Sequence, residues 1–224
     1  MIAFLLLGQA GFVDKTIEYE GAPNKYIVYV PPAYDKAKAL PAIMFLHGAG
    51  ETGTDGKKQA EVGLGAAIKK SPEAWNFIVM FPQKPPGKTG WVNHEKLVLD
   101  MLEKTKKEYS IDNARIYLTG LSMGGYGTWQ IAPKHPEIFA AIAPICGGGN
   151  PDDAPKLKDM PTWCFHGDAD KAVPIAKSQQ MIDAIKKAGG EPKFTIYPGV
   201  GHNSWDKAYR EEKLNEWLLQ FKKK

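Results

Sequence analysis

Three side chains in this sequence have the types and order needed for nucleophilic catalysis: Ser122, Asp170 and His202. A serine hydroxyl is a weak nucleophile at its free pKa. It becomes an effective one when an imidazole takes its proton and a carboxylate orients that imidazole. The gaps are 48 residues from Ser122 to Asp170 and 32 from Asp170 to His202. Each leaves room for about one strand–helix unit, so all three residues can reach the same end of a parallel sheet. Asp168 is the competing acid.

The residues around Ser122 read Gly120-Leu121-Ser122-Met123-Gly124. A buried strand is predicted before them, at Arg115–Thr119, and a helix after them, from Tyr126 to Lys134. In that setting G-x-S-x-G describes a turn so tight that side chains two before and two after the serine would collide; glycine removes them. The helix N-terminus then favours negative charge developing at the serine. No G-K-[ST] follows, so the stretch is not a phosphate-binding P-loop. His202 lies in Pro198-Gly199-Val200-Gly201-His202-Asn203, past the last predicted strand, and His166 and Asp170 close the strand Pro161–Phe165.

A tetrahedral intermediate needs two donors aimed at its oxygen, and losing one costs ~100–1,000-fold in rate. The expected donors are backbone amides: that of Met123, after the serine, and that of Ala49, in the loop His47-Gly48-Ala49-Gly50-Glu51 after the strand Ala42–Leu46. Glu51 is a candidate brace for that loop. Trp91, Tyr126 and Trp205 are candidate aromatic walls of a substrate cleft.

The elements that must position these residues are legible as short apolar runs alternating with amphipathic stretches. Strands are expected at Thr16–Glu20 and Lys25–Val30, joined by a turn over Gly21–Asn24, and then at Ala42–Leu46, Asn76–Phe81, Arg115–Thr119, Phe139–Pro144, Pro161–Phe165 and Lys193–Tyr197. Helices are expected at His94–Tyr109, at Ile175–Ala188, and at the C-terminus, where Leu214, Trp217, Leu218 and Phe221 form one stripe. The alternation predicts an α/β fold: a mostly parallel central sheet with helices on both faces. No repeat, low-complexity tract or linker divides the chain, so 1–224 reads as a single catalytic domain. Only about fifteen residues, Cys146–Met160, separate the strand after Ser122 from the one before Asp170. They are polar with Gly and Pro, so no cap domain is expected and the site is expected to be open.

Taken together, LHGAGETGTDG, TGLSMGGYGTW, PICGGG, FHGDADKAVP and GVGHNSW resemble the carboxylesterase branch of the α/β-hydrolases. That branch includes the phospholipase/carboxylesterase family and polyhydroxybutyrate-depolymerase-like and feruloyl-esterase-like enzymes. The similarity runs from about Phe12 to Leu219. It implies the α/β-hydrolase fold, Ser122 as nucleophile, His202 as general base, Asp170 as its orienting acid, Ala49 and Met123 as oxyanion donors, and no cofactor. It also implies a small-molecule or polysaccharide-linked ester as substrate. Many members are secreted, so secretion is an expectation for this chain.

Composition narrows the rest. Apolar residues make up 43% and charged residues 24%, a globular balance. The net charge is only +4, and of 29 basic residues just Arg115 and Arg210 are arginine, which argues against a nucleic-acid surface. Cys146 and Cys164 have no metal-ligand spacing and fall near apolar strands, so they read as buried free thiols. The apolar run Ile2–Leu7 is too short to span a membrane, and no other stretch is long enough to do so. Two rivals to the esterase reading are a serine peptidase using the same triad and a non-catalytic module that keeps the fold. A dehalogenase is excluded, because it needs a carboxylate at the turn that Ser122 occupies.

Overall fold

The computed structural model describes residues 10–87 and 89–223; the apolar run Ile2–Leu7 lies outside them. Eight strands form one sheet in the order β1-β2-β4-β3-β5-β6-β7-β8. They are β1 Gly11–Tyr19, β2 Ala22–Val30, β3 Leu40–Leu46, β4 Ile78–Pro82, β5 Ile111–Leu121, β6 Ala141–Ile145, β7 Trp163–Gly167 and β8 Lys193–Tyr197. The β1–β2 and β2–β4 pairs are antiparallel; every pair from β4 to β8 is parallel. Parallel strands end on the same side, so the loops after β3, β5, β6, β7 and β8 converge at one edge.

Strand alternation divides the core into two layers. Ala42, Met44 and Leu46 of β3 face one side, where they join Leu97, Met101 and Leu102 of α2 (Glu95–Glu108), Trp129 of α3 (Met123–Ile131) and Met181, Ile182 and Ile185 of α5 (Ala176–Lys187). Ile43 and Phe45 face the other side, with Leu64 and Ile68 of α1 (Leu64–Lys70), Ala208 and Tyr209 of α6 (Trp205–Arg210) and Leu214 and Leu218 of α7 (Leu214–Leu218). Truncating a fully buried ring such as Phe45 to alanine costs roughly 3–5 kcal/mol. The segment expected to lack a cap holds only a 3-10 turn, Pro151–Asp153, running into the short helix α4 (Ala154–Leu157), whose Ala154 and Leu157 pack into the first layer, and no cap domain is evident among the described residues.

Several boundaries differ from the expectation. The first hairpin turns on two residues, Glu20 and Gly21, at φ 49° and 78°, so that Tyr19 pairs with Ala22 and the expected turn residues Ala22–Asn24 lie in β2. Two positive φ values match the twist of a tight hairpin. Pro23 is tolerated because β4 pairs only with Tyr26–Tyr29 of β2. The C-terminal stripe forms a helix only as far as Leu218, yet Phe221 still packs, its ring 4.9 Å from that of Trp217. Helix α3 begins immediately after Ser122 rather than at Tyr126. Helices α1, α4 and α6 were not expected; each is seven residues or fewer, too short to show a full stripe.

The turn at Ser122 is held by backbone contact. A Cβ on Gly120 would lie 2.4 Å from Gly124 O, and one on Gly124 would lie 1.9 Å from Leu46 O, at the end of β3. Gly124→Ala is therefore expected to cost ~3 kcal/mol or more, a fall in Tm of about 10 °C. Gly50→Ala, with nothing within 4 Å, is expected to leave Tm within about 2 °C. Melting scans of the two variants check this.

Candidate functional site

Ser122 ends up where β5 turns into α3, at φ 54° and ψ −117°. Non-glycine residues avoid that conformation at a cost of ~1–3 kcal/mol. Its amide donates to Ile145 O at the end of β6, and its own carbonyl accepts from Tyr126 N in the first turn of α3. The strained residue is thus fixed between two neighbouring strands and a helix, with its side chain half-buried at the strand ends.

His202 arrives on the loop after β8. Its Nε2 lies 2.9 Å from Ser122 Oγ and its Nδ1 lies 2.7 Å from Asp170 Oδ2. The carboxylate only accepts, so Nδ1 carries the proton and Nε2 is left to accept from the serine hydroxyl. Asp170 Oδ1 takes the amides of Ala172 and Val173 at 2.8 and 2.9 Å. The Asp170 side chain is fully buried, whereas that of His202 is 28% exposed. Burial works against the Asp170 carboxylate, but the His202 ring and the Val173 and Ala172 amides outweigh it and hold the carboxyl below its usual range. Asp168, the competing acid, is exposed, and its Oδ1 instead takes the Gly199 amide at 2.7 Å.

Ala49 opens a one-turn 3-10 helix, Ala49–Glu51, and is exposed; Met123 is the first residue of α3. The first amides of a helix have no acceptor within it. Glu51 is half-buried on this loop. Burial pushes its carboxyl up, against the Gly48 and Glu51 amides.

What holds the loop is a buried network built on residues the sequence reading passed over. His47, fully buried, donates from Nδ1 to Gly48 O at 2.6 Å and accepts the Lys84 amide at Nε2 at 2.9 Å. Gln83 Nε2 donates to Glu51 O at 3.0 Å, and Gln83 Oε1 accepts the Gly56 amide at 2.6 Å. Trp91 requires a correction: it is fully buried and lines no cleft. Its indole Nε1 donates to His47 O at 2.9 Å and its ring meets the His47 ring edge-on at 4.8 Å. Trp91 therefore braces the loop from behind. The sequence signal available for these residues was weak: a polar residue closing each apolar strand.

Trp205 and Tyr126 are half-exposed at the rim. The Trp205 ring stands perpendicular to that of His202 at 5.3 Å. Tyr126 lies close enough to Asp170 to feel its charge; burial, and then that charge, push its hydroxyl up. Both cysteines are free and buried. Cys146, Asp170 and His202 each place one metal-capable atom within 4.8 Å of the others. Two of the three are already committed to each other and to Ser122, and burial pushes the Cys146 thiol up to about 12.

An imidazole held between a buried carboxylate and a strained serine at the carboxyl ends of a parallel sheet is the arrangement of α/β-hydrolase chemistry. The chain belongs to the dienelactone hydrolase family, an α/β-hydrolase family, which residues 25–216 match. It is 27% identical over 196 residues to the poly(3-hydroxyalkanoate) depolymerase C of Paucimonas lemoignei, covering 81% of this chain and 44% of that protein. It is 31% identical over 173 residues to a bifunctional acetylxylan esterase/xylanase of Neocallimastix patriciarum, covering 75% of this chain and 24% of that one. The chain thus spans less than half the length of either relative. A crystal structure of a thermostable esterase superposes with a TM-score of 0.86 at 32% identity, covering 95% of this chain and 63% of that one.

The buried His47 yields a stability test. Burial, and then the nearby Lys84, push its pKa from 6.5 to about 4 against the pull of Gly48 O. The unfolded chain therefore binds the extra proton between about pH 6.5 and 4, and the folded one does not. The stabilising effect of a neutral His47 is full above pH 6.5 and is lost as pH falls towards 4. The Tm difference between wild type and His47→Gln, measured across that range, is expected to narrow towards pH 4.

Proposed function

We propose that this chain is a serine carboxylesterase acting on small esters or on exposed acyl groups of a polymer, such as acetyl or feruloyl groups on plant polysaccharide. The observation that carries the reading is the unbroken hydrogen-bonded line Ser122 Oγ–His202 Nε2, His202 Nδ1–Asp170 Oδ2 at the strand ends. In this mechanism the Ser122 hydroxyl attacks the acyl carbonyl while His202 Nε2 takes its proton. The oxyanion rests on the Ala49 and Met123 amides. Protonated His202 then donates to the departing alkoxide, leaving an acyl group on Ser122 Oγ. Water, deprotonated by His202, attacks the acyl carbon; the bond to Ser122 Oγ breaks, His202 returns the proton to Oγ, and the acid is released. Asp170 keeps the ring in the Nδ1–H tautomer throughout.

The polymer-linked alternative draws on the acetylxylan esterase and depolymerase relatives. Both substrate types fit the uncapped strand ends, where Ala49 is exposed and Ser122 half-exposed. Trp205 and Tyr126 are in this reading the walls that meet the substrate.

A fluorophosphonate probe is expected to label Ser122 in the wild type and to leave Ser122→Ala unlabelled, with kcat falling at least ~1,000-fold in the variant. In a panel of p-nitrophenyl esters, turnover is expected to peak at acetyl to butyryl. A peak at long acyl chains counts against the uncapped site, and faster turnover of a peptide anilide than of p-nitrophenyl acetate counts for a peptidase.

A further inference from the structure

A second histidine touches the acid of the triad. His166, the penultimate residue of β7, is fully buried. Its Nε2 lies 2.9 Å from Val173 O and 3.2 Å from Asp170 Oδ2. Its Nδ1 lies 2.8 Å from the hydroxyl of Ser178 on α5, which in turn lies 2.9 Å from Gly147 O. A carbonyl only accepts, so Nε2 carries a proton; the unprotonated Nδ1 then shares the single hydrogen of the Ser178 hydroxyl with Gly147 O. That proton is shared between Val173 O and the same Asp170 oxygen that receives His202 Nδ1–H. The acid is therefore held on both sides: Oδ1 by two amides of its own loop, Oδ2 by two imidazoles.

We propose that His166 is a positioning residue that acts through Asp170: it ties the acid-bearing loop to β7 and α5, aims Oδ2 at His202, and tempers how strongly that oxygen draws on the His202 proton. This rests on the reading of Ser122, His202 and Asp170 as a working triad. A buried aliphatic residue would fill the space but would leave Val173 O without this donor and Asp170 with one donor fewer. A hydrogen bond to a charged group is worth ~1.5–3 kcal/mol, which converts to roughly 10–100-fold in rate if it is lost only in the transition state. The titratable groups around this centre are Asp170 and, beyond it, His202; Cys164 on the same strand; and Cys146 and Tyr126, which feel the Asp170 charge from β6 and α3.

The test compares wild type, His166→Leu, His166→Gln and Ser178→Ala on p-nitrophenyl acetate. Its readouts are the pH dependence of kcat/KM, a melting scan and fluorophosphonate labelling. His166→Leu is expected to lower kcat roughly 10–100-fold with little change in KM. The acid limb of its profile moves to higher pH, because an Asp170 oxygen freed of one donor draws the His202 proton harder. His166→Gln, whose amide N–H can still donate to Val173 O and Asp170, recovers most of kcat and keeps the wild-type acid limb. Ser178→Ala, which frees Nδ1 and loosens the tautomer without emptying the core, moves the limb in the same direction by less. It carries the test if His166→Leu fails to fold. Acid limbs that stay at the wild-type position in His166→Leu and Ser178→Ala overturn the proposal, as does an equal loss in Leu and Gln, which would mark a packing role alone. An unlabelled Ser122 in the wild type would overturn the esterase reading and this proposal together.

Discussion

The site depends on one close approach: helix α3 comes so near the ends of β3 and β5 that Gly124 leaves no space for a side chain beside Leu46 O, nor Gly120 beside Gly124 O. That contact sets where the helix starts, and the helix start sets where Ser122 stands. β3 and β5 are parallel neighbours, so the Ala49 loop and the start of α3 lie at the same edge of the sheet. The unfavourable dihedrals of Ser122 persist because the surrounding backbone leaves no relaxed alternative.

A second constraint is polar. Taking His47, Gln83, His166 and Asp170 out of water is unfavourable unless each finds partners. Each does so in a way that ties a functional loop to the sheet. His47 and Gln83 link the loop after β3 to the residues following β4, and Trp91 closes the network from below. His166 links the loop after β7 to α5. The loops after β3 and β7 are held by buried hydrogen bonds, while Ala49 is exposed and Ser122 and His202 are half-exposed.

Much of this was legible in the linear pattern. The order of Ser122, Asp170 and His202, the glycines two before and two after the serine, and the continuous apolar runs of the central strands are local signals with direct physical meaning. The C-terminal stripe was legible as apolar spacing, but not as a helix ending at Leu218, since Phe221 packs without continuing it. Helices α1, α4 and α6 were hidden by their brevity. Trp91 was misread because an aromatic ring near a site looks the same in sequence whether it faces the cleft or the core; its indole turns inward to reach His47 O.

By itself the sequence determined which candidate groups were on offer and the fold that could bring them together, because a serine, an acid and an imidazole are residue identities and the strand–helix alternation is a periodicity. The tertiary structure alone decided which of two nearby acids faces His202, since Asp168 and Asp170 are equivalent in composition and only the loop geometry sends one to Gly199 N and the other to the imidazole. It also decided the long-range partners of His47, Gln83 and Trp91, since the Lys84 amide, Glu51 O and His47 O that they bond lie 37, 32 and 44 residues away and become neighbours only when the strand ends converge.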